Sequence, residues 1–298
     1  MMKRSLAYDD VLLIPRYSDI RSRSEIKINT DLGNGLVLEL PLLSSPMDTI
    51  SEKEMAVSLS NAGGCSVVHR YNTIEQQAVI VSSTIEETGP SFHVGAAVGI
   101  SGDFLNRASV MNAIGASFIC VDVAHGHHIL MKEALQILRT ALGDEIHIMA
   151  GNVATLQGIN DLADWGANSV RCNIGGGSIC STRIQTGHGV PGLETIFECA
   201  KTDRDVSIIA DGGIKNSGDI VKALAAGADA VMVGSMLAGT AETPGNMLQD
   251  SDGNKWKVYR GMASKEAQMD WRGRCSSFEG VATRVPYRGP VTSILEDI

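Results

Sequence analysis

The run Asn173-Ile174-Gly175-Gly176-Gly177-Ser178-Ile179-Cys180-Ser181-Thr182-Arg183 sets one thiol just past three consecutive glycines, at the end of a short β-type stretch. Glycine tolerates positive φ and lets backbone N–H groups come close to a ligand. Gly175, Gly176 and Gly177 can therefore form a nest of donors, and the Ser178 hydroxyl adds a contact for phosphate. The segment reads as an anion cradle with a candidate nucleophile, Cys180, beside it. Taken alone, such a motif is more often a glycine-rich turn with a buried cysteine, so the elements that position it must decide.

Eight short β-rich runs recur along the chain: Leu40 to Ser45, Cys65 to His69, Phe92 to Val98, Phe118 to Val123, Ile146 to Asn152, Ser169 to Asn173, Val206 to Asp211 and Ala230 to Ser235. Helix-like stretches separate most of them. Ile129 to Leu142, for example, carries Leu130, Ala134, Ile137, Leu138 and Ala141 at helical spacing. Gly63, Gly115, Gly166 and Gly227 stand just before strands, where a left-handed glycine would end each preceding helix. Eight such units in this length predict a closed (β/α)8 TIM barrel over an open doubly wound sheet. The chemistry of such barrels gathers at the C-terminal strand ends. Ser44-Ser45, His69, Asp122, Asn152, the cysteine loop, Asp211-Gly212-Gly213 and Gly234-Ser235 all fall there, and the last two match the usual phosphate position.

Composition narrows the ligand. The 298 residues are 44% hydrophobic and 20% charged, and a net charge of -9 argues against a nucleic-acid surface and for a small molecule. No apolar run approaches membrane-spanning length, and Asp9-Asp10 stands where a signal peptide would be apolar. Six cysteines without a C-x-x-C pair suggest a reducing compartment, so a cytoplasmic protein without membrane or nucleic-acid partners is expected. His125, His127 and His128 invite a metal reading, but adjacent histidines converge poorly and no thiol or carboxylate pattern completes a zinc site. They are expected to be a loop or cofactor-edge feature.

Longer motifs span nearly the whole chain: Asp9-Asp10-Val11-Leu12-Leu13-Ile14-Pro15, Ser44-Ser45-Pro46-Met47-Asp48-Thr49, Asp122-Val123-Ala124-His125-Gly126, Ala150-Gly151-Asn152-Val153-Ala154-Thr155, Ile209-Ala210-Asp211-Gly212-Gly213-Ile214, Gly234-Ser235-Met236-Leu237-Ala238-Gly239-Thr240, Tyr259-Arg260-Gly261-Met262 and Glu279-Gly280. With these the chain resembles the IMP dehydrogenase/GMP reductase family. The resemblance implies a purine 5′-monophosphate held by its phosphate at Ser178, Gly213, Gly234, Ser235 and Tyr259. It implies further substrate contacts from Ser45, Met47, Gly177, Gly212, Gly261 and Met262, with Asp211 on the ribose. Cys180 would attack purine C2, with Thr182 and Glu279 as a proton relay. Asp122, Asn152 and Arg274 would lie on the side of a nicotinamide cofactor, NADPH or else NADH/NAD. It also implies a homotetramer and a monovalent cation, K+, on the carbonyls of Gly175, Gly177 and Cys180. Family members complete that cation site with a neighbour's C-terminal extension, most of which is expected to be missing from a chain ending at Ile298.

Within that resemblance, residues 1–298 read as one catalytic barrel with a short active-site flap near 263–280. Arg70 to Ser91 leaves no room for an inserted regulatory domain. The flap contains Trp271-Arg272-Gly273-Arg274 and no Arg-Tyr dipeptide of the kind that activates water in the dehydrogenases. These features, with Ser22-Arg23-Ser24-Glu25, favour a GMP reductase. An IMP dehydrogenase stays open, because Glu279-Gly280 with Arg284 to Gly289 resembles that branch equally and Arg272 or Arg274 could activate water. A purine-nucleotide-binding barrel without turnover is the third reading. The arginine usual near the reductase cofactor end is Ser276 here, or is displaced to Arg274. Asn173 replaces the usual first glycine of the cysteine loop, Gly176 stands where proline or serine is common and His188 where valine is usual. A loop more mobile than its relatives is expected. Trp256, Trp271 and Tyr287 are read as packing or interface residues.

Overall fold

The computed structural model describes residues 5–275 and 277–298. The expectation attached to Ser276 lies outside the described residues. Eight parallel strands close into a barrel: β1 (Leu42–Ser44), β2 (Cys65–Val68), β3 (Val94–Val98), β4 (Phe118–Asp122), β5 (His147–Val153), β6 (Ser169–Cys172), β7 (Ser207–Asp211) and β8 (Ala230–Val233). Closure is made by β8 on β1, with Val231 opposite Leu42. The (β/α)8 expectation holds; seven of the strands are a residue or more shorter than the expected run, and β5 keeps its length but is displaced by one residue.

Helices α1 (Lys53–Asn61), α2 (Ile74–Thr88), α3 (Phe104–Ala113), α4 (Ile129–Leu142) and α5 (Leu156–Asp164) follow the first five strands. After β6 come the short α6 (Thr182–Thr186) and then α7 (Gly192–Cys199), and α8 (Ser217–Ala225) follows β7. Gly63, Gly115, Gly166 and Gly227 all have positive φ, as the helix-ending reading requires. In α4 the buried stripe is Met131, Ala134, Leu135 and Leu138. Leu130 and Ile137, expected inside, are exposed. Both stripes fit a 3.6-residue period, so periodicity alone could not choose the rotation that packing chose.

Two apolar clusters result. One lies between sheet and helices, and the other fills the barrel, where Leu43, Val67, Phe118, Met149, Ile209 and Met232 meet. Leu32, Leu36 and Leu38 belong to this inner cluster. They come from an antiparallel pair, Thr30–Asp31 with Val37–Leu38, that plugs the N-terminal end of the barrel. His147 fastens the plug. Its Nδ1 donates to the Gly33 carbonyl at 3.0 Å, and its Nε2 accepts from Ser169 Oγ at 2.8 Å, a pairing that suits the neutral ring. With the bottom sealed, ligands can enter only at the C-terminal rim. Beyond β8, the strands Leu248–Gln249, Lys255–Arg260 and Ala282–Pro286 form a separate antiparallel sheet. The 260–282 connection, which carries α9 (Lys265–Arg272), arches from this sheet over that rim. A last helix, α10 (Thr292–Glu296), ends the chain. Among the described residues no helix is long and apolar enough to cross a membrane.

Two outcomes follow from this packing. A Cβ on Gly95 of β3 would lie 2.2 Å from the fully buried Phe118 ring. Gly95→Ala should therefore cost about 1–3 kcal/mol as overpacking, read as a lower urea midpoint. Burial pushes His147 down from its ordinary 6.5 to about 4. Between those two values the unfolded chain takes a proton that the folded chain refuses, so stability falls as pH is lowered from 6.5 to 4. Urea titrations across that window should show the slope, and His147→Gln should flatten it.

Candidate active site

Cys180 is half-buried at the rim and lines a cavity of roughly 500 Å³. Its position is set by backbone pairing with the returning arm of the flap. Ser181 N–H donates to the Glu279 carbonyl at 2.8 Å, Val281 N–H donates to the Ile179 carbonyl at 3.0 Å, and Cys180 bridges Gly280. Gly280 also bridges Ser264, whose nitrogen would lie 3.0 Å from a Cβ at position 280. The close approach needs glycine. This pairing aligns three side chains: Cys180 Sγ donates to Thr182 Oγ1 at 3.2 Å, and Thr182 Oγ1 donates to Glu279 Oε2 at 2.7 Å. The thiol proton thus has a continuous path to a carboxylate.

A ring of small residues and hydroxyls closes one end of the cavity. Ser178 Oγ and Tyr259 OH are 3.5 Å apart. A Cβ on Gly234 would lie 3.1 Å from Met47 Sδ, 3.2 Å from Tyr259 OH and 3.5 Å from Ser45 Oγ. Gly212 and Gly213 turn with φ of 81° and 77°, and a Cβ on Gly213 would sit 3.0 Å from the Gly176 carbonyl oxygen. With Gly177, Ser235, Gly261 and Met262 also lining the cavity, the expected substrate residues are brought together. Burial pushes the Tyr259 phenol up, so it stays a donor at neutral pH. Hydroxyls and close backbone with no obstructing Cβ are what a phosphate group requires.

The opposite side is ionic. Four neighbouring strands β4 to β7 contribute Asp122, Asn152, Arg171 and Asp211. Arg171, which sequence reasoning passed over, is buried and joins both carboxylates. Its Nη1 donates to Asp122 Oδ1 at 2.6 Å, while Nε and Nη2 donate to Asp211 Oδ2 at 3.0 and 2.8 Å. Burial alone would lower its pKa, but Asp211 and Asp122 hold the guanidinium charged, above its ordinary range. Asn152 Nδ2 adds a third donor to Asp211 Oδ2 at 2.8 Å. Arg70 completes the row: Nη2 donates to the Asp122 carbonyl at 3.3 Å, and its buried Nε has no hydrogen-bond partner. The available signal was an arginine inside a four-residue buried strand, a place where an unpaired charge would be very costly.

Asn173 ties the cysteine loop down at its root. It is buried, with φ of 152°, and Nδ2 donates to the carbonyls of Asp211 and Gly212 at 3.0 and 3.2 Å. That amide occupies the space a Cβ on Gly176 would need, 2.1 Å away. The two departures from the family pattern therefore fit one another. For a cation, the Gly177 carbonyl already accepts Cys180 N–H at 3.1 Å. The three carbonyls of Gly175, Gly177 and Cys180 are fewer than full coordination of K+ needs. His127 pairs with Asp161 at 2.7 Å and His128 Nδ1 caps α4 by accepting Leu130 N–H, so both have local structural partners.

The flap is fixed at its base and its crest. Arg260 meets Asp48 through Nε at 3.0 Å and Nη2 at 2.5 Å, and reaches Asp270 of α9 through Nη1 at 2.5 Å. Trp271 packs edge-on against Tyr71, with centroids 6.0 Å apart. Arg272 lines the cavity. Arg274, expected on the cofactor side, is exposed and does not line it.

Gly176→Ala should drive its methyl into the Asn173 amide, lowering the thermal midpoint and weakening nucleotide binding. Adding Asn173→Gly should recover at least half of the lost stability, and a double variant no better than the single would show that the two positions are uncoupled.

Comparison with known proteins agrees with this geometry. A family model described as "IMP dehydrogenase / GMP reductase domain" matches residues 5–298. The chain is 32% identical to an inosine-5′-monophosphate dehydrogenase of Nitrosopumilus maritimus, over 99% of this chain and 90% of that one. It is 35% identical to a GMP reductase of Buchnera aphidicola, over 98% and 86%. Among solved structures, the GMP reductase C318A variant from Trypanosoma brucei in complex with guanosine 5′-monophosphate superposes with a TM-score of 0.92, at 28% identity, covering 99% of this chain and 90% of that one. A closed barrel, a matched family domain and relatives spanning nearly the full chain lead to one conclusion: the protein belongs to the IMP dehydrogenase/GMP reductase family of oxidoreductases acting on purine nucleotides.

Proposed function

We propose that this chain is a GMP reductase, converting GMP to IMP and ammonia at the expense of NAD(P)H through a covalent bond between Cys180 and purine C2. The carrying observation is the hydrogen-bonded row from Cys180 Sγ through Thr182 Oγ1 to Glu279 Oε2. Purine C2 lies between two ring nitrogens and is electrophilic, and the thiolate is a soft nucleophile. Thr182 passes the thiol proton to Glu279 as the C–S bond forms. The same carboxyl then returns a proton to the exocyclic amine, so the C–N bond breaks and ammonia leaves. The reduced nicotinamide supplies the hydride to C2. Breakage of the C–S bond then restores the Cys180 thiolate and releases IMP. Ser178, Gly213, Gly234, Ser235 and Tyr259 anchor the phosphate and Asp211 the ribose, holding C2 against the sulfur.

The cofactor lies on the side of Asp122, Asn152, Arg70 and Arg272, where the guanidinium groups of Arg70 and Arg272 line the cavity and suit an anionic dinucleotide. The chain works as one barrel with the 263–280 flap. Supporting this, the alignments with the Nitrosopumilus dehydrogenase and a Leishmania major GMP reductase run over 431 and 440 positions, so both relatives carry inserted residues that this 298-residue chain lacks, and α2 fills the stretch between β2 and β3. Leu12, Ile14 and Tyr17, 87%, 83% and 95% exposed, favour self-association, in keeping with a homotetramer. A second reading, IMP dehydrogenase with NAD, is favoured by Arg272 in the cavity, where a guanidinium could orient attacking water.

Nicotinamide absorbance separates these readings. GMP with NADPH or NADH should consume the reduced cofactor, whereas reduction of NAD by IMP alone would select the dehydrogenase. Silence in both assays would leave a nucleotide binder. Cys180→Ala should abolish turnover while retaining nucleotide binding. Thr182→Val and Glu279→Gln should each lower kcat by roughly 10²–10⁴-fold, and unimpaired Glu279→Gln enzyme would remove the relay.

A further inference from the structure

We infer that Arg171 is a positioning residue through which the cofactor-side carboxylate Asp122 sets the grip of Asp211 on the ribose, so the two half-sites are coupled even before a cofactor binds. This rests on the reading above that Asp211 holds the ribose. The two oxygens of Asp211 are used unequally. Oδ2 accepts three donors, Arg171 Nε and Nη2 and Asn152 Nδ2. Oδ1 accepts none from the described residues and is left open to the cavity that Asp211 lines. A carboxylate saturated on one oxygen cannot rotate without breaking charge-assisted hydrogen bonds, so the other oxygen is held ready for a sugar hydroxyl.

What holds Arg171 in turn is Asp122. Its Nη1 bond to Asp122 Oδ1, at 2.6 Å, is the shortest of its contacts in the site, and it fixes the guanidinium plane from the side away from the ribose. The row Arg70, Asp122, Arg171, Asp211 alternates in sign, and its members are largely withdrawn from water. Weakening one link redistributes hydrogen bonds along the others, because each charge has few alternative partners. Asp122 therefore reports the state of the cofactor side to the sugar, and linkage makes the effect reciprocal. Lysine cannot replace Arg171 here: a single ammonium has no planar fork to span two carboxylates.

The test is calorimetric titration of the whole protein with GMP and with 2′-deoxy-GMP, no cofactor present, for wild type, Asp122→Asn, Arg171→Lys, Asp211→Asn and the Asp122→Asn/Asp211→Asn double variant. Thermal melts verify that each is folded. Wild type should prefer the ribonucleotide. Asp122→Asn and Arg171→Lys should each weaken GMP by about tenfold while changing 2′-deoxy-GMP less than about threefold. In the Asp211→Asn background, Asp122→Asn should have no further effect on that preference. Equal weakening of both nucleotides, an unchanged preference in Asp122→Asn, or additivity in the double variant overturns the coupling and leaves the function standing. Wild type that binds neither nucleotide, or does not distinguish them, removes the ribose role of Asp211 first and the coupling with it.

Discussion

The backbone pairing of residues 179–181 with 279–281 is the contact on which the arrangement of the site, and the proposed chemistry, depends. Neither Ile179–Ser181 nor Glu279–Val281 belongs to the barrel, and each is part of a loop that would sample many conformations alone. Joined by the bonds from Ser181 to Glu279 and from Val281 to Ile179, they hold a thiol, a hydroxyl and a carboxylate in line. Such alignment contributes to rate because the ordering is done during folding and not at the moment of reaction. It also explains why Gly280 carries no side chain, being enclosed between two other backbone segments.

Beneath the loops, the barrel supplies a rigid and electrically balanced floor. Apolar side chains fill the interior as far as Cys120, and the next residues upward are ionic. Arg171 sits at this boundary, with the Cys120 sulfur 3.5 Å from Nη1 on one side and two carboxylates on the other. Charges at this depth persist only when paired, so the row is as much a requirement of folding as of function. Asn173 does for the cysteine loop what Arg171 does for the floor, tying the first loop residue to the carbonyls that end β7.

The flap combines firm attachment with an exposed crest. Arg260 anchors its base to Asp48 and α9 to that base, and Trp271 rests against Tyr71 from the β2 end. Most of α9 and the turn after it are open to solvent. The Glu279 carboxylate is thereby held beside Thr182, while Arg272 at the crest faces the cavity.

The sequence by itself determined the barrel, because eight β-rich runs separated by helical spacing leave few ways to bury every apolar face. Its glycine-rich loop singled out Cys180, and the family resemblance carried by the longer motifs pointed to Thr182 and Glu279, which the fold places in one hydrogen-bonded row. Tertiary structure alone decided what depends on side chains meeting across strands. The rotation of α4 was undecidable from a period shared by two apolar stripes. The role of Arg171 was hidden, because its partners lie 49 and 40 residues away and nothing in Ser169-Val170-Arg171-Cys172 names them. The fit of Asn173 with Gly176 escaped for a related reason: an amide filling a missing Cβ is a matter of volume in space, and spacing along a chain carries no volume.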